Sequence, residues 1–408
     1  RVRSEEQLPG RNPQRKSGQS QARNKLRTGR TDQLLVSNKR SELPQLGKDP
    51  QQMTNKLFAP IFLIILVSGC FPDQPRVVKA TANPGEVFFC MWNAENFFDN
   101  QDNHRHNEPD KEYDHWFATN PKDFQLKLEN LTSVLLSMNG RKGPDILALA
   151  EVEEESRAPE LLIQALNRKL PSELAYQHLA FKNPHGGRSI ATCVISRLPI
   201  EANRVRLLGS RLRILEVPIK VNNKELIVFA THWTSKLTDK DGHGRSKYAD
   251  QVHGEYVAMA RRNPDIDVLV CGDFNATPDE DCVVNHMKTQ PTREDTIIAS
   301  RKIQASSGNQ QWLDYPLMNL FADYKQKKAG TIYYHGKLDL YDQILVSPGM
   351  LDDKGWTCLT ETAAVFNQSP PADSKGHPWR FGSPKDHKGQ RGYSDHFPVT
   401  VRLKVSDN

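Results

Sequence analysis

The stretch DVLVCGDFN, residues 267–275, sets the reading of the rest of the chain. Residues 267–271 are a short, nearly continuous apolar run, which is how a strand buried on both faces reads. The run breaks at Gly272 and delivers Asp273 and Asn275 on either side of Phe274. A carboxylate and an amide at the end of a buried strand sit at a sheet edge, where a ligand or water can satisfy them.

The arrangement recurs outward from this point. Run 87–92 ends in Asn93, Ala94, Glu95 and Asn96, run 146–150 ends in Glu151, and run 226–230 ends in Thr231, His232 and Trp233. Run 190–195 is equally apolar. Runs 344–346 and 399–403 instead begin with polar groups, Asp342 and Gln343 before the first and Ser394, Asp395 and His396 before the second. If these two strands run antiparallel to the others, their starts share an edge with the others' ends. All these groups then converge on one rim, the usual place for a site in a layered α/β protein. Between the runs lie helical patterns. Asn120 and Pro121 open one with Phe124, Leu128, Leu131, Leu135 and Met138 at steps of four and three, and Asn139 and Gly140 close it. Segments 158–170 and 246–262 read the same way. The fold expected is α/β, mixed sheets covered by helices, in one domain over residues 86–405.

Composition agrees with a single large core. The 408 residues are 37% hydrophobic, with 16 Phe, 10 Tyr and 6 Trp, too apolar for disorder throughout. No apolar run reaches the ~18 residues of a spanning helix, which excludes a polytopic membrane protein. The net charge of +6 comes from residues 1–52, where twelve Lys or Arg face five acids, so the other 356 residues net −1. That segment is too polar to offset its ordering entropy and is expected to be a disordered basic leader. It is either an arm for nucleic acid or upstream sequence outside the working protein, with Met53 as the true start. From Met53 the chain runs MTNKLFAPIFLIILVSGC. One Lys, a short apolar stretch and small residues before a cysteine resemble a bacterial lipoprotein signal over residues 53–70, with Cys70 as the lipid anchor and 71–85 as a tether. The expected location is the bacterial cell envelope, lipid-anchored and periplasmic or surface-facing, or secreted; the membrane partner is reached through that anchor, and no protein partner is inferable. Beyond Cys70 the cysteines at 90, 193, 271, 282 and 358 form no CxxC pair, so no zinc site is indicated, and Cys282 with Cys358 is the one bridge considered.

The residue types at the rim specify a chemistry. Carboxylates suit a hard, oxygen-loving cation, amides orient, and two histidines exchange protons, a set that fits Mg²⁺ or Mn²⁺ better than Zn²⁺. Such a cation neutralises charge developing on a phosphoester, and a histidine paired with an aspartate handles the proton. No GxSxG elbow and no GxxxxGKS loop is present.

In order, WNAEN, LALAEVE, THWTSK, GDFNATPD, YDQILVS and SDHFPV closely resemble the signature segments of the endonuclease/exonuclease/phosphatase superfamily, the fold of DNase I, over residues 86–404. The opening and late segments look most like secreted or envelope bacterial nucleases. The resemblance implies a four-layered α/β sandwich, two mixed sheets packed face to face with helices outside. It implies Glu151 as principal metal ligand, with Asn93, Glu95 and Asp395 helping to hold Mg²⁺ or Mn²⁺. Asp273 and Asn275 would bind the attacking water and the phosphate, and either Asp273 or His396 would take the water proton. Asp342 would align His396, and His232 would stabilise phosphate oxygens or protonate the leaving group.

Other polar residues carry weaker expectations. His104, His106, His115 and His185 read as solvated loop residues, with a metal site at His104, His106, Glu108 and Asp110 as the sharper alternative. The loop 374–391 interleaves Lys375, Arg380, Lys385, Lys388 and Arg391 with Trp379 and Phe381, which suits phosphate contacts and base stacking. Lys325, Lys327 and Lys328 form a second basic cluster. The expected partner is nucleic acid or another phosphodiester. The competing readings are a sphingomyelinase-like or small-molecule phosphoesterase and a catalytically idle surface lipoprotein.

Overall fold

The computed structural model describes residues 85–305, 315–368, 370–386 and 391–406. The leader, the signal segment with Cys70, the tether as far as Pro84, and Lys388 lie outside the described residues. In chain order the described strands are β1 (Glu86–Phe97), β2 (Ile146–Glu153), β3 (His178–Phe181), β4 (Ile190–Ser196), β5 (Arg206–Leu207), β6 (Ile214–Val221), β7 (Lys224–His232), β8 (Val268–Asp273), β9 (Thr289–Gln290), β10 (Leu317–Asn319), β11 (Ile332–Tyr334), β12 (Lys337–Asp339), β13 (Asp342–Val346), β14 (Trp356–Val365) and β15 (Val399–Val405). The helices are α1 (Asp110–Thr119), α2 (Pro121–Ser137), α3 (Ala158–Asn167), α4 (His243–Ala260) and α5 (Arg293–Ala305).

These strands form two mixed sheets and a small hairpin. The first sheet runs β14-β15-β1-β2-β4-β3, the second β5-β6-β7-β8-β13-β10-β9, and β11 pairs with β12. Strict alternation along β1 explains how one strand serves two layers. Phe89 and Met91 enter a core shared with Val228, Cys271 and Ile344 of the second sheet, whereas Cys90 and Trp92 join Phe124, Leu128 and Leu131 of α2. The second sheet repeats this, its outer face carrying Phe229 and Val270 against Tyr248 and Val252 of α4. The result is the expected four-layered α/β sandwich.

The rim forms as the strand directions require. β1 pairs parallel with β2, and β7 with β8. β15 is antiparallel to β1, and β13 to β8, so the starts of β13 and β15 lie beside the ends of the others. At Gly272 a side chain would overlap the Thr231 carbonyl, which is why glycine stands where β7 and β8 run closest. β1 and β2 do not stop where their apolar runs stop. Both continue through a register shift, with Glu95, Asn96 and Glu151 at positive φ (52°, 49° and 58°). Such bulges re-aim side chains at a sheet edge.

The structure departs from the sequence expectation at several places. His115 lies on α1, not in a loop. Asp110 is buried and accepts hydrogen bonds from the Arg188 guanidinium and the Ser189 amide, so it does not complete a metal site with His104 and His106. Cys282 and Cys358 are free thiols in different cores, Cys282 on the outer face of the second sheet and Cys358 between the sheets. Segment 276–305 contains α5, which no motif announced.

One buried acid joins the two sheets. Asp267, just before β8, accepts a hydrogen bond from the amide of Trp356 at the start of β14 (2.8 Å). Burial pushes its carboxyl up to about 7. With the folded-state value raised above the ordinary 3.8, the folded protein keeps a proton that the unfolded chain releases between those limits. Its stabilising contribution is therefore present at low pH and lost as pH rises through about 7. Asp267→Asn is expected to raise the melting temperature by a few degrees at pH 8 and much less at pH 4.5, measured by circular dichroism; an equal effect at both pH values would contradict this account.

Candidate active site

Three adjacent strands of the second sheet set a row of side chains. His232 ends β7, Asp273 ends β8 beside it, and Asp342 opens β13 opposite Asp273. The first sheet supplies the facing groups, Asn93 from β1, Glu151 from β2, and His396 from the approach to β15. His396 Nδ1 lies 2.6 Å from Asp342 Oδ2, and its Nε2 is 3.8 Å from Asp273 Oδ2. His232 Nε2 lies 3.7 Å from the same Asp273 oxygen and 3.9 Å from Glu151 Oε1. The Asn93 Nδ2 group donates to both Glu151 Oε1 (3.2 Å) and Asp273 Oδ2 (3.1 Å), and the Asn96 amide donates to Glu151 Oε2 (2.9 Å). Trp92, fully buried, donates from Nε1 to the His396 carbonyl (2.9 Å), and the Ser394 hydroxyl donates to the Asn93 carbonyl (2.6 Å). These bonds fix where the His396 segment crosses the end of β1.

The charges are mutually dependent. Burial alone disfavours a charged His396, but the Asp342 and Asp273 carboxylates outweigh it and hold the imidazole protonated well above the ordinary histidine value. Burial raises the Asp273 carboxyl, and the Asp342 charge adds to this. Burial also acts to raise Glu151, yet His232, Arg188 and His396 outweigh it and hold this acid down to about 2. Burial and then the Arg213 charge push His232 down to about 4, so it is neutral at pH 7, and its Nδ1 is buried without a hydrogen-bond partner. Asp395 is pushed up to about 7 by burial and then by the neighbouring Glu95 and Glu151 charges.

Most of the residues expected from the sequence come together here. Glu151, His232, Asp273, Asn275, Asp395 and His396 line a single cavity of about 460 Å³. Asn275 donates from Nδ2 to the Trp233 carbonyl (3.1 Å), and its amide donates to Asp273 Oδ1 (2.8 Å). Glu95 is buried with both oxygens engaged, accepting from the amides of Phe381 (2.6 Å) and Gly382 (3.0 Å). Its positive φ turns it from the cavity onto the loop that precedes Asp395. The described residues of the basic loop do not line the cavity. Arg391 lies over the Trp116 ring and donates to the Phe381 and Ser383 carbonyls, and Arg380 sits 3.4 Å from Glu95. Trp379 packs edge-on to Tyr393, and Lys375 is exposed on the loop. Lys325 and Lys327 pair with Asp279 and Asp323.

Sequence reasoning missed the basic part of the cavity lining, Arg188, Arg211, Arg213 and Lys236. Lys236 stands within THWTSK and was legible there. Arg213 precedes β6, whose run is interrupted by Glu216 and Pro218, and Arg188 follows a polar loop, so neither position was marked.

The donor set fits a hard divalent cation. Glu151 and Asp395 face the cavity, and among the described residues neither forms an ion pair with Lys or Arg within 4.0 Å, although Asp395 feels both Glu95 and Glu151. Two neighbouring carboxylates with no Lys or Arg in direct contact are what Mg²⁺ or Mn²⁺ would bridge to a substrate by neutralising their charge. Among the described residues no group of three or more His, Cys, Asp or Glu gathers around one point. Glu151 would hold the cation, with Asp395 nearby.

A rim of strand-end carboxylates, an Asp–His pair and a cation-suited acid meet at one cavity, as a hydrolase site requires. The sequence profile of the Endonuclease/Exonuclease/phosphatase family matches residues 88–405, and the chain belongs to that family. No curated protein sequence matches it significantly. Similar solved structures include truncated Caenorhabditis elegans TDP2, at 12% identity and TM-score 0.43, covering 78% of this chain and 98% of that one. A Staphylococcus aureus beta toxin mutant with bound magnesium ions aligns at 13% identity and TM-score 0.44, covering 79% and 100%. An endonuclease/exonuclease/phosphatase family protein from Bacteroides thetaiotaomicron aligns at 14% identity and TM-score 0.42, covering 80% and 97%.

Two substitutions test the assignment of roles. Glu151→Gln is expected to lower kcat for phosphodiester hydrolysis by roughly 10³-fold, and Asp342→Asn, which leaves His396 without its carboxylate, by roughly 10²-fold. Both should unfold within a few degrees of the parent protein. Full activity in both variants, measured in steady-state assays, would remove these residues from the mechanism.

Proposed function

We propose that the protein is a metal-dependent nuclease that hydrolyses phosphodiester bonds by attack of water. The observation that carries this reading is the convergence of Glu151, Asp273 and the Asp342–His396 pair from two sheets on one cavity. Glu151 would hold a divalent cation, which would supply neutralisation of the charge developing on the phosphate oxygens. Asp273 holds the attacking water and takes its proton; burial raises the basicity of its carboxylate, which favours this role. His396, kept protonated by Asp342, donates a hydrogen bond to a phosphate oxygen. His232 is neutral and serves as a hydrogen-bonding group. Asn93 does not act on the substrate; its amide holds Glu151 and Asp273 at a fixed separation.

Nucleic acid is favoured over a lipid headgroup because the cavity lining is also basic, with Arg188, Arg211, Arg213 and Lys236 among its residues. Polyphosphate backbones are drawn to such a lining, whereas a quaternary ammonium is repelled. The full chain with Mg²⁺ would be assayed against supercoiled, linear and single-stranded DNA, RNA, sphingomyelin and bis-p-nitrophenyl phosphate. Polynucleotide is expected to turn over with kcat/KM at least about tenfold above sphingomyelin. Turnover of sphingomyelin alone would replace the nuclease with a phospholipase of the same fold, and silence on every substrate would favour a binding protein.

A further inference from the structure

We propose that Thr331 is the positioning residue of the Asp342–His396 pair, fixing the backbone on both sides of it; this rests on the reading of that pair as part of the hydrolytic site. The two partners come from different sheets, Asp342 from the start of β13 and His396 from the approach to β15. Their Nδ1 and Oδ2 atoms nevertheless stand 2.6 Å apart. Little else aims the carboxylate. Among the described residues its second oxygen, Oδ1, is buried without a hydrogen-bond partner, so its direction follows from the backbone that carries it.

That backbone is held by Thr331. The neighbouring strand β10 is registered with β13 only at Leu345 and Val346, so it does not reach the start of the strand. There the Thr331 hydroxyl accepts hydrogen bonds from the amides of Tyr341 (3.1 Å) and Asp342 (3.2 Å). The Thr331 carbonyl accepts from the amide of Phe397 (2.7 Å), the residue after His396, and Ile332 forms a β-bridge with His396 itself. One fully buried residue thus ties the chain carrying the acid to the chain carrying the imidazole. Its own amide donates to the Asp339 carbonyl (2.8 Å), which anchors it at the open end of the β11–β12 hairpin. Gly330 permits this approach, because a Cβ there would come within 2.5 Å of the Leu338 side chain and 3.0 Å of its backbone.

The division of labour is geometric. Trp92 and Ser394 fix the His396 segment to β1 of the first sheet, and Thr331 fixes it to β13 of the second. The hydroxyl is suited to the task, since one oxygen with two lone pairs accepts from two converging amides. A β-branched side chain has few rotamers, so that oxygen stays where both amides need it. Valine has the same shape and would leave both amides buried and unpaired, and the start of β13 would move to find other acceptors. A short hydrogen bond between Asp342 and His396 does not survive such a movement, because its strength falls steeply with distance and angle.

The test uses the full chain, with Thr331→Val removing the hydroxyl and Thr331→Ser keeping it. In metal-free protein, proton NMR reads the far-downfield resonance of the His396 Nδ1 proton, identified by its loss in Asp342→Asn. That resonance is expected to disappear or move upfield in Thr331→Val and to return in Thr331→Ser. With Mg²⁺ and bis-p-nitrophenyl phosphate, kcat should fall about tenfold in Thr331→Val, with KM within about twofold, and recover in Thr331→Ser. Asp342→Asn, which costs roughly 10²-fold in the parent, should cost only about tenfold in the Thr331→Val background, where the pair is already misaligned. A parental resonance and kcat in Thr331→Val, a loss that Thr331→Ser does not restore, or an undiminished cost of Asp342→Asn in the valine background overturns the assignment. Should the valine variant fail to fold, Thr331→Ala against Thr331→Ser isolates the hydroxyl by the same readings. If the parent protein hydrolyses no phosphodiester, the proposed function has failed, and the resonance still decides whether Thr331 positions the pair.

Discussion

The amide of Asn93 is the point on which the site depends. It comes from the first sheet and donates to Glu151 of that sheet and to Asp273 of the second. Two carboxylates that would otherwise repel are thereby held around one donor. A second link, between His396 and Asp342, crosses the same boundary at 2.6 Å. Neither sheet alone contains the site. The packing of one sheet on the other, driven by burial of Phe89, Met91, Val228, Cys271 and Ile344 between them, is therefore also what assembles the chemistry.

Each group's charge follows from its neighbours. The Asp342 carboxylate keeps His396 protonated, while burial makes Asp273 basic. Arg213, one strand away, contributes to keeping His232 neutral. Glu95 sits just behind, holding the loop that leads to Asp395 through two backbone amides, and adds its charge to the pressure on Asp395. The cavity thus carries carboxylates and basic side chains together, a set suited to binding a cation and a polyanion.

Much of this was legible because buried strands and their polar ends leave a simple trace. Residues 267–275 show an apolar run followed by Asp273 and Asn275, and the same trace located Glu151, His232, Asp342 and His396. The parts that were not legible have specific causes. α1 is short, and its buried face mixes Asp110 and Asp114 with Tyr113, Trp116 and Phe117, so its apolar stripe is only about one turn long. β6 contains Glu216 and Pro218; the proline is tolerated because β5 covers only the first part of that strand. Glu95 looked like a cavity group from its place beside Asn93, but a left-handed backbone turns it to a loop 286 residues later. Arg188 and Arg213 cannot be sorted by sequence at all, because what separates them is whether a carboxylate such as Asp110, 78 residues distant, reaches the side chain.

The central claim is that one cation-dependent hydrolytic site lies between the two sheets. It is tested most directly by the initial rate of phosphodiester cleavage as Mg²⁺ is returned to protein stripped with EDTA. The account predicts no turnover above background in EDTA and a saturable recovery as Mg²⁺ or Mn²⁺ is added. Cleavage that persists undiminished in EDTA would contradict it.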